Sequence, residues 1–236
     1  MKEKMYIVIP AYNESETIKS VIEEWYPLTE KYGEGSRMAI VNDGSKDNTL
    51  EIALKLAEKY PRLTVLDKPN GGHGSAVIYG YKYALDKGAD YVFQTDSDGQ
   101  TRPEEFEQFW INREKYDMVI GERSGRQDGF SRVFVTKTLR LVLRVIFGVW
   151  VKDANTPYRL MKADALRSCL DLFDDDYNLP NVIISVAMKK RNKPVLFRHI
   201  TFRPRQGGKN SINMKKIIKI GMQALKDFKA INKKLK

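Results

Sequence analysis

Short apolar runs recur along the first half of the chain, each closed by a cluster of Pro, Asn, Asp or Gly. Met5-Tyr6-Ile7-Val8-Ile9-Pro10, Met38-Ala39-Ile40-Val41, Leu63-Thr64-Val65-Leu66, Tyr91-Val92-Phe93 and Met118-Val119-Ile120-Gly121 each read as a buried strand. Between them the apolar spacing changes to three or four. Ile18, Val21, Ile22 and Trp25 share one face of a helix expected over 16–32, and Ile52, Ala53, Leu56 and Ala57 one face of the next. Further helices are expected from the Gly-rich turn at 71–74 to Leu85, and over 104–115 behind Pro103. Alternating strands and helices of this length predict a mainly parallel sheet with helices on both faces, an α/β fold. Ligands of such a sheet bind beyond the carboxyl ends of its strands. Asn13-Glu14, Asn42-Asp43, the 70–74 turn and the 96–100 loop all fall at that edge. Turn chemistry accounts for each cluster singly but not for their shared position.

After Gly121 the alternation stops. A Gly-rich loop over 124–130 is placed to close over a substrate. It is followed by a helix expected over 132–152, apolar at Val133, Phe134, Leu139, Leu141, Val142, Leu143, Val145, Ile146 and Phe147, with Lys137, Arg140 and Arg144 on one side. Such a helix either packs in a groove, lies in a membrane interface, or meets a second copy of the chain. Asp174-Asp175-Asp176 reads as a solvated acidic cluster ahead of a helix ending near Lys190. A strand is expected over 195–202. A final helix over 212–231 carries Ile217, Ile218, Met222 and Leu225 on one face and lysines on the other.

Composition narrows the class. The 236 residues are 42% hydrophobic and 30% charged, enough for one sizeable soluble domain. A single cysteine, Cys169, forms no intramolecular disulfide, and no Cys/His cluster suits zinc. The chain starts Met-Lys-Glu-Lys and runs straight into a strand, and it has no long apolar run. The expectation is therefore no signal peptide and no spanning helix, in a cytoplasmic protein that sits at most peripherally on the inner face of the cell membrane. The net charge of +11 is concentrated: residues 187–236 hold 16 Lys and Arg against Asp227 alone, while the preceding 186 residues hold 25 basic and 29 acidic ones. Nucleic acid, an anionic membrane surface or a phosphorylated substrate would each account for that segment. Its scarcity of aromatics for base stacking argues against nucleic acid.

The candidate chemistry sits on Asp96-Ser97-Asp98-Gly99-Gln100, which follows a strand and precedes Pro103. Two carboxylates and an amide oxygen on one tight loop suit Mg²⁺ or Mn²⁺ shared with substrate phosphates. A calcium hand does not fit, because Gly99 occupies the fourth loop position and Pro103 interrupts the loop.

Pro10-Ala11-Tyr12-Asn13-Glu14, Asn42-Asp43-Gly44-Ser45-x-Asp47, Asn70-x-Gly72-x-Gly74-x-Ala76 and Asp96-x-Asp98-x-Gln100, in this order, resemble an inverting family 2 glycosyltransferase of the GT-A fold. The Asp-x-Asp-x-Gln form is similar to dolichol-phosphate mannose synthases and polyprenyl-phosphate glycosyltransferases. A dinucleotide-binding dehydrogenase would carry its Gly-rich turn after the first strand, where this chain has Pro-Ala-Tyr-Asn-Glu.

The resemblance implies a nucleotide-sugar half over about 1–125 and an acceptor half over about 126–212 of one domain, with a basic helix over 213–236. It implies that Pro10, Ala11, Tyr12, Glu14, Asp43, Gly72, Asp96 and Ser97 hold a UDP- or GDP-linked sugar, with Asp43 accepting from the base. Asp96, Asp98 and Gln100 are the implied ligands of Mg²⁺ or Mn²⁺. Gly121-Glu122-Arg123 and Ser131-Arg132 match the family's Gly-x-Arg and Ser-Arg pairs. Asp153 to Arg159 matches its Asp-x-x-x-Gly-x-Arg segment with Pro157 in place of Gly, and 203–211 its Arg-x-x-Gly-x-Ser loop, one residue longer. Asp98, Arg123 and Asp153 are then the implied catalytic residues. Arg123, Arg132, Arg159, Arg205 and Ser211 would bind the acceptor, a lipid phosphate at an anionic membrane surface. A hydroxyl of a surface glycan is the alternative acceptor, and a non-catalytic nucleotide- or nucleic-acid-binding protein the rival class. His73 carries no implied role beyond that of a polar turn residue.

Overall fold

The computed structural model describes residues 3–123, 130–204 and 214–235, without the side chains of 123, 130–136, 214–220 and 222. Among these residues seven strands form one sheet: β1 (Met5–Ala11), β2 (Arg37–Asp43), β3 (Leu63–Lys68), β4 (Tyr91–Gln94), β5 (Met118–Arg123), β6 (Arg159–Lys162) and β7 (Val195–Ile200). Their order is β3-β2-β1-β4-β6-β5-β7. β6 runs antiparallel to both β4 and β5, and the remaining pairings are parallel.

Alternation along the strands produces two cores. On β1, Met5, Ile7 and Ile9 face one side, while Tyr6 and Val8 face the other; on β4, Tyr91 and Phe93 oppose Val92. The first side is covered by α1 (Ile18–Trp25), α2 (Pro27–Lys31), α3 (Thr49–Lys59) and α5 (Glu107–Trp110). The second is covered by α4 (His73–Asp86), α6 (Phe130–Phe147), α7 (Ala163–Leu170), α8 (Pro180–Lys190) and α9 (Met214–Lys234). Burial on both faces explains why the strands read as unbroken apolar runs. Behind the 96–100 loop the first core is aromatic. Phe93 lies 4.8 Å from Phe106, 4.9 Å from Tyr158 and 5.3 Å from Trp25, ring centre to ring centre. Packing of this kind fixes the strand that carries the loop.

Several expected elements differ in extent. The helix expected over 16–32 is two helices, because Pro27 offers no N–H to continue the first and opens the second. The helix expected over 104–115 shortens to a 3₁₀ turn, Pro103–Glu105, and α5. On α6, Leu143 and Phe147 are buried, whereas Leu141 and Val145, one turn apart, are exposed, Val145 by 76%. α9 packs on α6 through Phe228 against Phe147, 5.6 Å between ring centres, and through Asn232 Nδ2 donating to the Ile146 carbonyl at 2.7 Å.

The antiparallel β6 has a functional consequence. Arg159, its first residue, stands opposite Gln94, the last residue of β4. The segment leading into β6, with Asp153, therefore approaches the carboxyl edge of the parallel strands. A parallel strand in that place would have delivered it to the far end.

Candidate active site

Three loops at the carboxyl edge are tied to one another by short polar bonds. Asn13, in the left-handed region at φ 54°, donates its backbone N–H to Ser45 Oγ at 3.0 Å, and its Oδ1 accepts from the Lys46 N–H at 2.8 Å. The Glu14 N–H donates to Thr49 Oγ1 at 2.8 Å and the Ser15 N–H to Asp47 at 3.2 Å. Burial acts to raise the Asp47 carboxyl, but hydrogen bonds from Thr49 and Ser15 outweigh it and hold the group below its ordinary value. The turn after β1 and the turn after β2 thus form one unit.

Asp43 shapes the third loop. Its buried carboxylate accepts from Lys68 Nζ at 2.7 Å, the Gly71 N–H at 2.9 Å, the Gly72 N–H at 2.8 Å and Asn70 Nδ2 at 3.2 Å. Those four donors match the four acceptor positions of an ionised carboxylate. Here Asp43 holds the Gly71-Gly72 turn, and a nucleotide base would meet a carboxylate already engaged. Gly74, the second residue of α4, admits no side chain, because a Cβ there would collide with the Tyr177 carbonyl.

The 96–100 loop is closed at its base by the Thr95 and Thr101 hydroxyls, 2.6 Å apart. Buried Thr17 donates to the Ser97 carbonyl at 2.9 Å and lies 3.1 Å from Glu14 Oε2, which joins this loop to the turn after β1. The Gln100 carbonyl accepts from the Arg203 N–H at 2.8 Å, while Gln100 Nε2 donates back to the Arg203 carbonyl at 3.2 Å. Arg203 is in turn anchored to Glu24 on α1 at 2.6 Å.

Asp98 Oδ1 accepts from the Gln100 N–H at 3.1 Å. Asp96 Oδ1 is shielded from solvent and has no hydrogen-bond partner among the described residues, with His73 Nε2 at 4.0 Å. A buried carboxylate oxygen left without a donor is costly unless a cation arrives. The donor set of two carboxylates and an amide is hard and oxygen-based, so these residues fit Mg²⁺ or Mn²⁺. No three His, Cys, Asp or Glu side chains among the described residues form a cage of their own. An ion shared with a diphosphate needs no such cage.

Asp153 is buried at the same edge. Arg159 departs from the expectation that it meets an acceptor phosphate. It is fully buried, and its guanidinium donates to the carbonyls of Thr156 (Nε, 3.0 Å), Ala154 (3.1 Å) and Asn181 (2.9 Å), and to Ser185 Oγ at 3.3 Å. It clamps the Asp153 segment onto the start of α8. Beside it Tyr81 Oη donates to Gln94 Oε1 at 2.6 Å, and burial pushes the Tyr81 hydroxyl above its ordinary value, so it stays a neutral donor. Pro10 and Ala11 pair with Val41 and Asn42 in the sheet, and Tyr12 is exposed beyond them. Gly72 leaves open space where a side chain would stand.

Of the remaining expected residues, Arg205 and Ser211 lie outside the described residues, as do the side chains of Arg123 and Arg132. Sequence reasoning missed Thr17, Lys68, Tyr81 and Gln94. Their roles depend on partners 13 to 80 positions away and leave no local spacing signal.

Comparison with known proteins identifies the family and the fold. A family model described as glycosyl transferase family 2 matches residues 6–167. A dolichyl-phosphate beta-glucosyltransferase of Trichomonas vaginalis is 31% identical over 186 residues, 70% of this chain and 56% of that protein. The chain thus spans little more than half of that relative. An undecaprenyl-phosphate mannosyltransferase of Micrococcus luteus is 27% identical over 217 residues, 89% of this chain and 88% of the relative. The crystal structure of glucosyl-3-phosphoglycerate synthase from Mycobacterium tuberculosis with Mn²⁺, UDP-glucose and phosphoglyceric acid superposes with a TM-score of 0.71, covering 98% of this chain and 80% of that one at 18% identity. At that identity the likeness is one of fold, the GT-A fold.

Proposed function

We propose a donor, an acceptor and a division of labour for a chain that belongs to glycosyl transferase family 2. The donor is a nucleoside-diphosphate sugar, the acceptor a polyprenyl phosphate, and the transfer inverts the anomeric centre. The observation that carries the donor site is the unpartnered, shielded Asp96 Oδ1 on a loop with Asp98 and Gln100, at the edge where the turns after β1, β2 and β3 converge. These three residues would hold the cation. When bound it offsets the charge that develops on the departing diphosphate.

The chain's own residues account for the rest. The turns tied by Asn13, Glu14 and Asp47 form the floor for base and ribose. Asp43 acts through the Gly71-Gly72 turn, keeping its backbone close to the sugar diphosphate. An oxygen of the acceptor phosphate attacks the anomeric carbon while the bond from that carbon to the diphosphate oxygen breaks on the opposite face. A phosphate oxygen is already anionic near neutral pH, so no strong base is required, and Asp153 positions the acceptor, held in place by the Arg159 clamp. Arg123, Arg132 and Arg205 are assigned to the acceptor phosphate, and Arg159 is withdrawn from that role.

The lipid half rests on two supports. The relatives named above are dolichyl- and undecaprenyl-phosphate transferases. α6 presents Leu141, Val145 and, just beyond it, Trp150, which Arg140 and Arg144 flank at 5.4 and 5.7 Å from the ring centre. Exposed apolar side chains ringed by cations suit peripheral contact with an anionic bilayer. No helix among the described residues is long and apolar enough to cross one.

The test is transfer itself. The protein is incubated with UDP- and GDP-linked sugars, Mn²⁺ or Mg²⁺, and a short polyprenyl phosphate in detergent, and the organic phase is analysed by mass spectrometry and NMR. A glycosyl polyprenyl phosphate of inverted configuration is expected with one nucleotide class. Transfer only to a glycan hydroxyl would overturn the acceptor assignment, and no turnover of any donor would overturn the donor assignment.

A further inference from the structure

We infer that His73 is a nitrogen ligand of the catalytic cation, opposite Asp96. The inference rests on the donor-site reading above and goes beyond its oxygen-only ligand set. His73 opens α4 and is half exposed, so its ring can adjust without disturbing a core. The residue before it, Gly72, has φ 88° and open space around its Cα, which leaves room beside the imidazole. Its Nε2 lies 4.0 Å from Asp96 Oδ1.

That separation is too long for a hydrogen bond, for which the two atoms would approach to about 2.9 Å. It is the separation that two ligands of one ion span when each bond is about 2.1 Å and the angle between them is wide. Asp96 Oδ1 has no other partner among the described residues, which a hydrogen-bonded turn histidine would have supplied. The turn itself is fixed from the other side by Asp43, so α4 begins at a defined distance from the 96–100 loop. The imidazole is thereby held where Asp96 lacks a counter-charge.

A nitrogen donor in place of a water shifts preference from Mg²⁺ toward transition ions. The chain should therefore bind Mn²⁺ with nucleoside diphosphate more tightly than Mg²⁺, and His73 should carry most of that difference.

Pulsed electron paramagnetic resonance of Mn²⁺ bound to the full chain with UDP or GDP tests this without reference to turnover. The wild-type spectrum should show modulation from a directly coordinated ¹⁴N. His73→Gln should lose that modulation and bind Mn²⁺ about tenfold more weakly, with Mg²⁺ affinity changed less than about threefold. Bound Mn²⁺ with no nitrogen coupling in the wild type overturns the inference while leaving the donor site standing. So does coupling that persists in His73→Gln. Failure to bind Mn²⁺ with either nucleotide overturns both. His199 is the chain's other histidine, so a modulation that persists in His199→Gln assigns the nitrogen to His73 even where His73→Gln folds poorly, and its loss in His199→Gln overturns the inference.

Discussion

Two polar regions lie at opposite ends of the same sheet, and they differ in how their charges are met. At the amino ends of β4 and β5 a cleft of about 890 Å³ is lined by Glu3, Asp90, Asp117, Lys162, Arg191 and Lys193 among others. Its charges answer one another: Asp117 lies 3.3 Å from Lys162 and 3.7 Å from Lys193, and Asp90 accepts from the Lys4 N–H at 2.7 Å. At the carboxyl edge Asp43 is answered by Lys68 and by backbone N–H groups, whereas one shielded oxygen of Asp96 meets no donor among the described residues. A balanced charge cluster needs no ligand to complete it, whereas an unbalanced one does. The unanswered oxygen of Asp96, rather than the presence of a cleft, locates the site.

The comparison can be broken from either end. The largest effect is expected for Asp98→Ala, which should lower kcat/KM for transfer by about 10²–10³-fold while the melting temperature hardly moves. A comparable loss from Asp117→Asn in the cleft would reverse the assignment of the two ends. Next comes Arg159→Met. Removing a guanidinium that serves three carbonyls and a hydroxyl should cost about 3 kcal/mol or more in denaturant unfolding. A residue that binds acceptor phosphate would instead raise KM and leave stability intact.

Gly74→Ala should cost about 1–3 kcal/mol by forcing the 174–179 loop away from α4. Asp117→Asn is expected to cost less than about 1 kcal/mol, since its ion pairs are solvent-screened, and to leave transfer unchanged. The smallest effect concerns acid. Asp47 has a depressed pKa in the fold, so its contribution to stability is present above the ordinary carboxylate range and is lost as pH falls through the depressed value. Asp47→Asn should lower stability slightly at pH 7 and flatten the acid limb below roughly pH 4, so that variant and wild type converge in acid. Unfolding curves at pH 3 and pH 7 would check this.

The first half of the molecule was legible because strand, turn and helix each carry a local signature. Ile7, Ile9, Val41 and Phe93 announce buried strands, Asp43 ends its strand, and Asn13 and Asp98 fall on the turns that follow theirs. The second half was less so. β6 is four residues long, begins at a buried arginine and reads as a motif segment rather than a strand. Nothing in its sequence fixes its direction, which follows from pairing with Gln94 and Ile120. Arg159 reads as an anion binder because it closes the family's Asp-x-x-x-Gly-x-Arg segment, and its carbonyl partners become visible only when α8 is docked. The role given to His73 arises in the same way, from the approach of α4 to a loop 23 residues later.

The most direct test of the donor site is thermal unfolding of the wild type and Asp98→Ala against UDP- and GDP-linked sugars, each with and without Mn²⁺. The account predicts a rise of roughly 5–10 °C at ligand concentrations near a hundred times Kd. That rise should appear with one nucleotide class, require the ion, and be absent in the variant. An unchanged melting temperature with every donor, or an equal rise in Asp98→Ala, would contradict it.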